Sequence, residues 1–143
     1  MNIAAINKMK KLVIPILLGL YTFTYSIAQN TPDKASSIII TMPDSNGLKA
    51  KITKVIADKD YTVGPGKVAS IINTAAKTLK NGTRVAFVFQ MSGADIILTG
   101  TLPVAGQASM KITNQGKKGT PIYNGWEEME KIAKAFGGTV SYK

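Results

Sequence analysis

The stretch from Val85 to Leu102 limits the possible folds more than any other part of the chain. Val85, Phe87, Phe89 and Met91 alternate with Ala86, Val88 and Gln90, so both faces of one extended segment are largely apolar. That pattern belongs to a strand inside a sheet rather than at its edge. Ser92-Gly93 supplies the chemistry of a tight reversal, and Asp95 to Leu102 returns as a second strand. An antiparallel hairpin of this kind needs an apolar layer on at least one face, which directs attention to the flanking segments.

Upstream, the β-branched run Ile38-Ile39-Ile40-Thr41 within Ser37 to Met42 reads as a strand, and Pro43 to Gly47 reads as a turn. Leu48, Ala50 and Ile52 then alternate with Lys49, Lys51 and Thr53, which predicts a second strand with a bulge before Val55-Ile56. Lysines on its wet face would guard against edge-to-edge pairing. Val68, Ile71, Ile72, Ala75, Ala76 and Leu79 recur at helical spacing, so a helix is expected from Lys67 to Lys80, stopped by Asn81-Gly82. Downstream, Ala108 to Thr113 offers a short strand.

A second helix is expected near the C-terminus, where Trp126, Met129, Ile132, Ala133 and Phe136 form an apolar stripe. Asn124 stands as its cap with Glu127 completing a capping box, Glu127–Lys131 and Glu130–Lys134 stand as i,i+4 pairs, and Gly137-Gly138 ends it before a terminal strand over Thr139 to Tyr142. The expected fold is α+β: an antiparallel sheet of about five to six strands with two amphipathic helices packed on one face. In arrangement it is similar to small helix-on-sheet domains such as the TATA-binding-protein-like and cystatin-like folds.

The N-terminus has a different character. Lys8, Lys10 and Lys11 precede the apolar run Leu12 to Leu20, and Ser26-Ile27-Ala28 places small residues before Gln29. This is the pattern of a removable export signal over residues 1–28, and it resembles bacterial secretory signals in which Gln follows the cleaved Ala. A spanning helix would need about 20 predominantly apolar residues, more than this stretch provides. Residues 29–36 read as a flexible leader and 37–143 as a single domain, destined for a bacterial periplasm or the exterior. The membrane is met only in transit, through the signal. Losing three lysines and no acid with the signal lowers the net charge of +10 by three.

The chain has neither Cys nor His. Disulfides, Cys/His zinc sites, thiol nucleophiles and histidine-based triads are thereby excluded. No glycine-rich phosphate or nucleotide fingerprint is present and Asp58/Asp60 lack the rest of a calcium loop, so neither cofactor nor metal is expected. Arg84 is the only arginine and the lysines are scattered, which argues against specific nucleic-acid recognition. Glu127, Glu128 and Glu130 cluster on one helix, and nothing in the sequence brings an acid pair into a shared cleft.

Two places have the residue types of a contact site. Lys117-Lys118 between Gly116 and Gly119 is a paired cation near Tyr123 and Trp126, whose rings suit an interface, although Trp126 fits core packing better. Gly64, Gly66 and Lys67 precede the helix expected from Lys67, where free amides can hold an anion. By elimination the chain is expected to be an exported, non-catalytic binding domain for a protein partner or an anionic envelope polymer. The alternatives are a small secreted hydrolase working with carboxylates and a structural or assembly subunit of the envelope.

Overall fold

The computed structural model describes residues 34–143, so the expected export signal and most of the expected leader lie outside the described residues. The elements in order are β1 (Ser37–Thr41), α1 (Leu48–Asp58), β2 (Ile71–Asn73), β3 (Lys77–Thr78), β4 (Arg84–Ser92), β5 (Asp95–Leu102), β6 (Met110–Lys111), α2 (Pro121–Ala135) and β7 (Thr139–Tyr142). The strands form one antiparallel seven-stranded sheet in the order β2-β4-β5-β1-β7, with β3 on β4 and β6 on β5. This is an α+β fold with two helices.

The hairpin that the alternation predicts is the centre of the sheet. Its register pairs Phe89 with Leu98 and Phe87 with Gly100, and Leu98 in turn faces Ile38 on β1. These residues share one face, and there Phe87, Phe89, Ile96, Leu98, Ile38 and Ile40 are fully buried. They form one core with Leu48, Ile52, Val55 and Ile56 of α1 and Trp126, Met129, Ile132 and Ala133 of α2. The approach of α2 is close because Gly100 has no side chain: a Cβ there would lie 2.8 Å from the tip of Ile112 and 3.0 Å from the Met129 sulfur. The opposite face, with Ser37, Ile39, Val88, Ile97, Thr99 and Thr101, is half-exposed, and its charged residues Arg84, Asp95 and Lys111 lie towards the strand ends.

Two elements differ in kind from the sequence expectation. The segment read as a second strand is α1. Leu48, Ile52, Val55 and Ile56 are its buried residues, at spacing i, i+4, i+7, i+8, so the apparent break of phase at Val55 is the second turn of a helical stripe. Ala50, which the alternation placed inward, is exposed. The turn chemistry of 43–47 is real but leads into the helix: the Asn46 amide donates to Asp44 Oδ1 at 2.8 Å, and Gly47 at φ 66° opens α1. Lys51 and Thr53 accordingly lie on α1, not on the open face of the sheet.

The segment expected as a helix from Lys67 to Lys80 instead holds β2 and β3. Its apolar residues fit a helical stripe, but β4 has an open edge to satisfy. Thr74 N–H donates to Phe87 O and the Thr74 hydroxyl accepts from Phe87 N–H, each at 2.9 Å, while Met91 N–H donates to Ser70 O at 2.8 Å. Long-range pairing of a β-branched stretch outweighs a local helical pattern. Of the six stripe residues only Ile72 is buried, and Val68 is 54% exposed.

The terminal elements follow the expectation more closely. α2 exists and β7 pairs with β1, but α2 begins earlier than Asn124. Thr120 is its cap, accepting from Tyr123 N–H at 3.4 Å, and Pro121 occupies the first turn, where its missing N–H costs nothing. The capping box of Asn124 and Glu127 therefore does not form. Ala35 is buried, and the amides of Ser36 and Ser37 both donate to Lys143 O, which ties the start of β1 to the end of β7. Among the described residues no helix is long and apolar enough to cross a membrane.

Candidate binding cleft

The end of α1 sets up a polar cleft against α2. Asp60 N–H donates to Ala57 O and Tyr61 N–H donates to Ile56 O, both at 2.9 Å, the paired bonds of a Schellman stop. That stop needs a left-handed residue, usually glycine, and here it is Asp60 at φ 59°, alone among the described non-glycine residues in having a positive φ. The chain then turns Tyr61 inward. Its ring meets Phe87 edge-on at 5.4 Å between centroids, and its hydroxyl donates to Glu128 Oε1 at 2.8 Å. The Lys77 ammonium sits 4.4 Å from the centre of the same ring and donates to Lys59 O at 2.8 Å. Tyr61 thus ties the end of α1 to β3 and α2.

Between these elements lies a cleft of about 510 Å³ lined by Asp60, Lys77 to Asn81, Asn124, Glu127, Glu128 and Lys131. Such a volume is that of small-ligand sites in general. The β3–β4 turn forms one wall. There Asn81 Oδ1 accepts from Thr83 N–H and Thr83 Oγ1 accepts from Asn124 Nδ2, both at 3.0 Å, which fastens the turn to α2. Three acids and three lysines line this space, and none of them forms an ion pair with another. Among the described residues the one ion pair is Lys54–Asp58 on α1, at 2.6 Å. The expected pairs Glu127–Lys131 and Glu130–Lys134 do not form.

The α2 glutamates answer to tyrosines instead. Burial, and then its bond to Glu128, push the Tyr61 hydroxyl well above the usual phenol range. Tyr123 is raised mainly by its hydrogen bond to Glu127, and Tyr142 by burial and then by Glu130. A raised folded-state pKa stabilises the fold fully below the phenol's ordinary value near 10, and that contribution is lost as pH rises further. Absorbance of phenolate is therefore expected to emerge only above pH ~10, with the Tyr61 portion appearing together with unfolding. Normal ionisation of every tyrosine in a folded protein would contradict the buried Tyr61–Glu128 bond.

The seven residues singled out in the sequence do not meet in this cleft. Lys117 and Lys118 are exposed in the loop before α2, where Lys117 O accepts from both the amide and the hydroxyl of Thr120. Tyr123 is half-buried against Glu127. Trp126 is 6% exposed and packs 6.0 Å from the Tyr142 ring, a core role. Gly64, Gly66 and Lys67 line a separate hollow of about 230 Å³ with Lys49, Val68 and Asn73. No helix begins there, and Gly64 N–H is already donated to Asn73 O at 2.7 Å, which removes the free-amide argument for an anion.

The cleft residues were invisible as a group because Asp60, the Lys77–Asn81 turn and α2 come together only in the fold. One local signal was available. An aspartate two positions beyond the Leu48–Asp58 stripe, with Tyr61 following, marks a helix stop once that stripe is read as helical. Among the described residues no group of three or more acidic side chains is placed to hold a metal ion. No protein-family model matches the chain, and no curated protein does.

Proposed function

We propose that this chain is an exported, non-catalytic binding domain that takes a segment of a protein partner in the cleft between the β3–β4 turn and α2. One observation carries the reading: charged side chains of both signs line a single cavity without neutralising each other. Mixed lining disfavours an anionic polymer, which would meet Asp60, Glu127 and Glu128 along with the lysines. A carboxylate hydrolase is disfavoured because Glu128 is engaged by the Tyr61 hydroxyl rather than free to trade protons with a substrate. Assembly through the β2 edge is disfavoured because that edge is closed by the 62–64 segment, through Val63 opposite Thr74 and Gly64 N–H on Asn73 O.

The test is a photo-crosslinking residue introduced at Lys80, with Lys51 on exposed α1 as the control position, irradiated in envelope extract at low and at high salt. The expected result is a discrete protein adduct from position 80 that is absent from position 51. Adducts of equal yield at both positions, or turnover of glycans by the purified protein, would overturn the proposal.

A further inference from the structure

We infer that the cleft selects a polypeptide segment carrying both acidic and basic side chains, and that Asp60 is the residue that reads the basic one. The inference rests on the cleft being the binding site and adds what it recognises. Leu79 is the one hydrocarbon side chain in the lining, and the other nine side chains end in charged or polar groups. A glycan would need an open aromatic ring to stack on. The Tyr61 ring beside the cleft is 6% exposed and carries Phe87 at its edge and the Lys77 ammonium at its face.

Ligands of a single sign meet three like charges whichever sign they carry, and like-charge juxtaposition discriminates strongly against a wrong partner. A segment with alternating signs meets no such penalty. Within the cleft Lys77 is committed to Lys59 O and Glu128 to Tyr61. Asp60, Glu127, Lys80 and Lys131 enter no ion pair, so two acids and two bases remain available to a ligand, and of the two acids Asp60 is the one held on a left-handed backbone.

Asp60 also has a conformational signature. A left-handed backbone is unfavourable for an L-residue, less so for Asp than for most, and glycine would occupy this helix stop without that cost. Strained non-glycine residues of this kind concentrate at functional positions. The stop itself gains nothing from a carboxylate, because its two bonds come from backbone amides.

The experiment uses the protein as isolated from the cell, titrated with four end-blocked probes and followed by amide chemical shifts: a hexapeptide of alternating Lys and Glu, a hexa-Glu peptide, a hexa-Lys peptide and a chitotetraose. The alternating peptide is expected to bind at least tenfold tighter than the other three, to shift the amides of the Lys77–Asn81 turn and of α2, and to weaken as salt rises. Asp60→Gly is expected to weaken that peptide about tenfold while raising the melting temperature, and Asp60→Asn to weaken it without raising it.

Equal or tighter binding of a single-sign peptide overturns charge alternation but leaves the cleft as the site. Preference for chitotetraose, or no shift in cleft amides with any probe, overturns the cleft reading itself. Unchanged affinity in both Asp60 variants removes Asp60 from recognition.

Discussion

Replacing Phe87 with alanine is expected to destabilise the protein by about 3–5 kcal/mol, the range for large aromatic truncations in a closed core. Phe87 is fully buried, and its partner across the sheet is Gly100, which has no side chain to relax into the void. The remaining neighbours are held from elsewhere: Tyr61 by Glu128, and Met129 by its place in α2. Domains of this size are stable by only about 5–15 kcal/mol, so the loss is a large share of the total. Chemical denaturation should show an earlier midpoint with an unchanged slope, the sign of lost stability rather than altered compactness. Tyr61 leans edge-on against the same ring, so the cleft wall should loosen with the core. A cost below about 1 kcal/mol would mean that β4 is not the centre of the sheet, because only surface sites are that tolerant.

That β4 is central was legible without coordinates, and the reason is physical. Two-sided apolar alternation over Val85 to Met91 suits only a strand with neighbours, and Ser92-Gly93 supplies a turn in which Gly93 adopts φ 60°. The apolar stripe of α2 was legible for a similar reason, since Met129, Ile132 and Ala133 bury one face of a helix. Its start was not. Thr120-Pro121 and Asn124 with Glu127 are both acceptable openings, and the choice is made by the bond that takes the Asn124 side chain to Thr83, far away in sequence.

The exchange of helix and strand between 48–58 and 67–80 has the same origin. Leu48, Ile52, Val55 and Ile56 satisfy a helix while Leu48, Ala50 and Ile52 satisfy a strand, and local chemistry does not choose between them. The choice comes from β4, whose free edge takes Ser70 to Thr78 as a partner and so leaves the earlier segment to cover the core as α1. The cleft inherits this. Two of its three lysines, Lys77 and Lys80, lie in the segment that reads as a helix, and only as part of a turn beside β4 do they confront Asp60 and Glu128. Tyr61 and Glu128, bonded to each other, stand 67 positions apart.

Gly116→Ala is expected to cost about 1–3 kcal/mol or more through overpacking against a surface that cannot yield. The sequence suggests an open, lysine-bearing loop here, but Gly116 is seated on the first turn of α2. A Cβ at this position would collide with the Tyr123 amide, lie 2.8 Å from the Tyr123 Cα and lie 3.0 Å from the Ile122 carbonyl carbon. All three are backbone, in a turn fixed by the Thr120 cap and by the Asn124–Thr83 bond. Neither side can move alone without breaking one of them. Gly119→Ala provides the comparison, because Gly119 sits at φ 85° with open space around its Cβ. Its cost is therefore conformational only, roughly 1–2 kcal/mol. Thermal melts of the two variants separate a clash from a backbone preference, and Trp126 fluorescence reports whether the start of α2 has shifted. Equal costs with unchanged fluorescence would show that the loop does not rest on α2, whereas a larger loss at Gly116 means that the helix start holds the base of the Lys117-Lys118 loop.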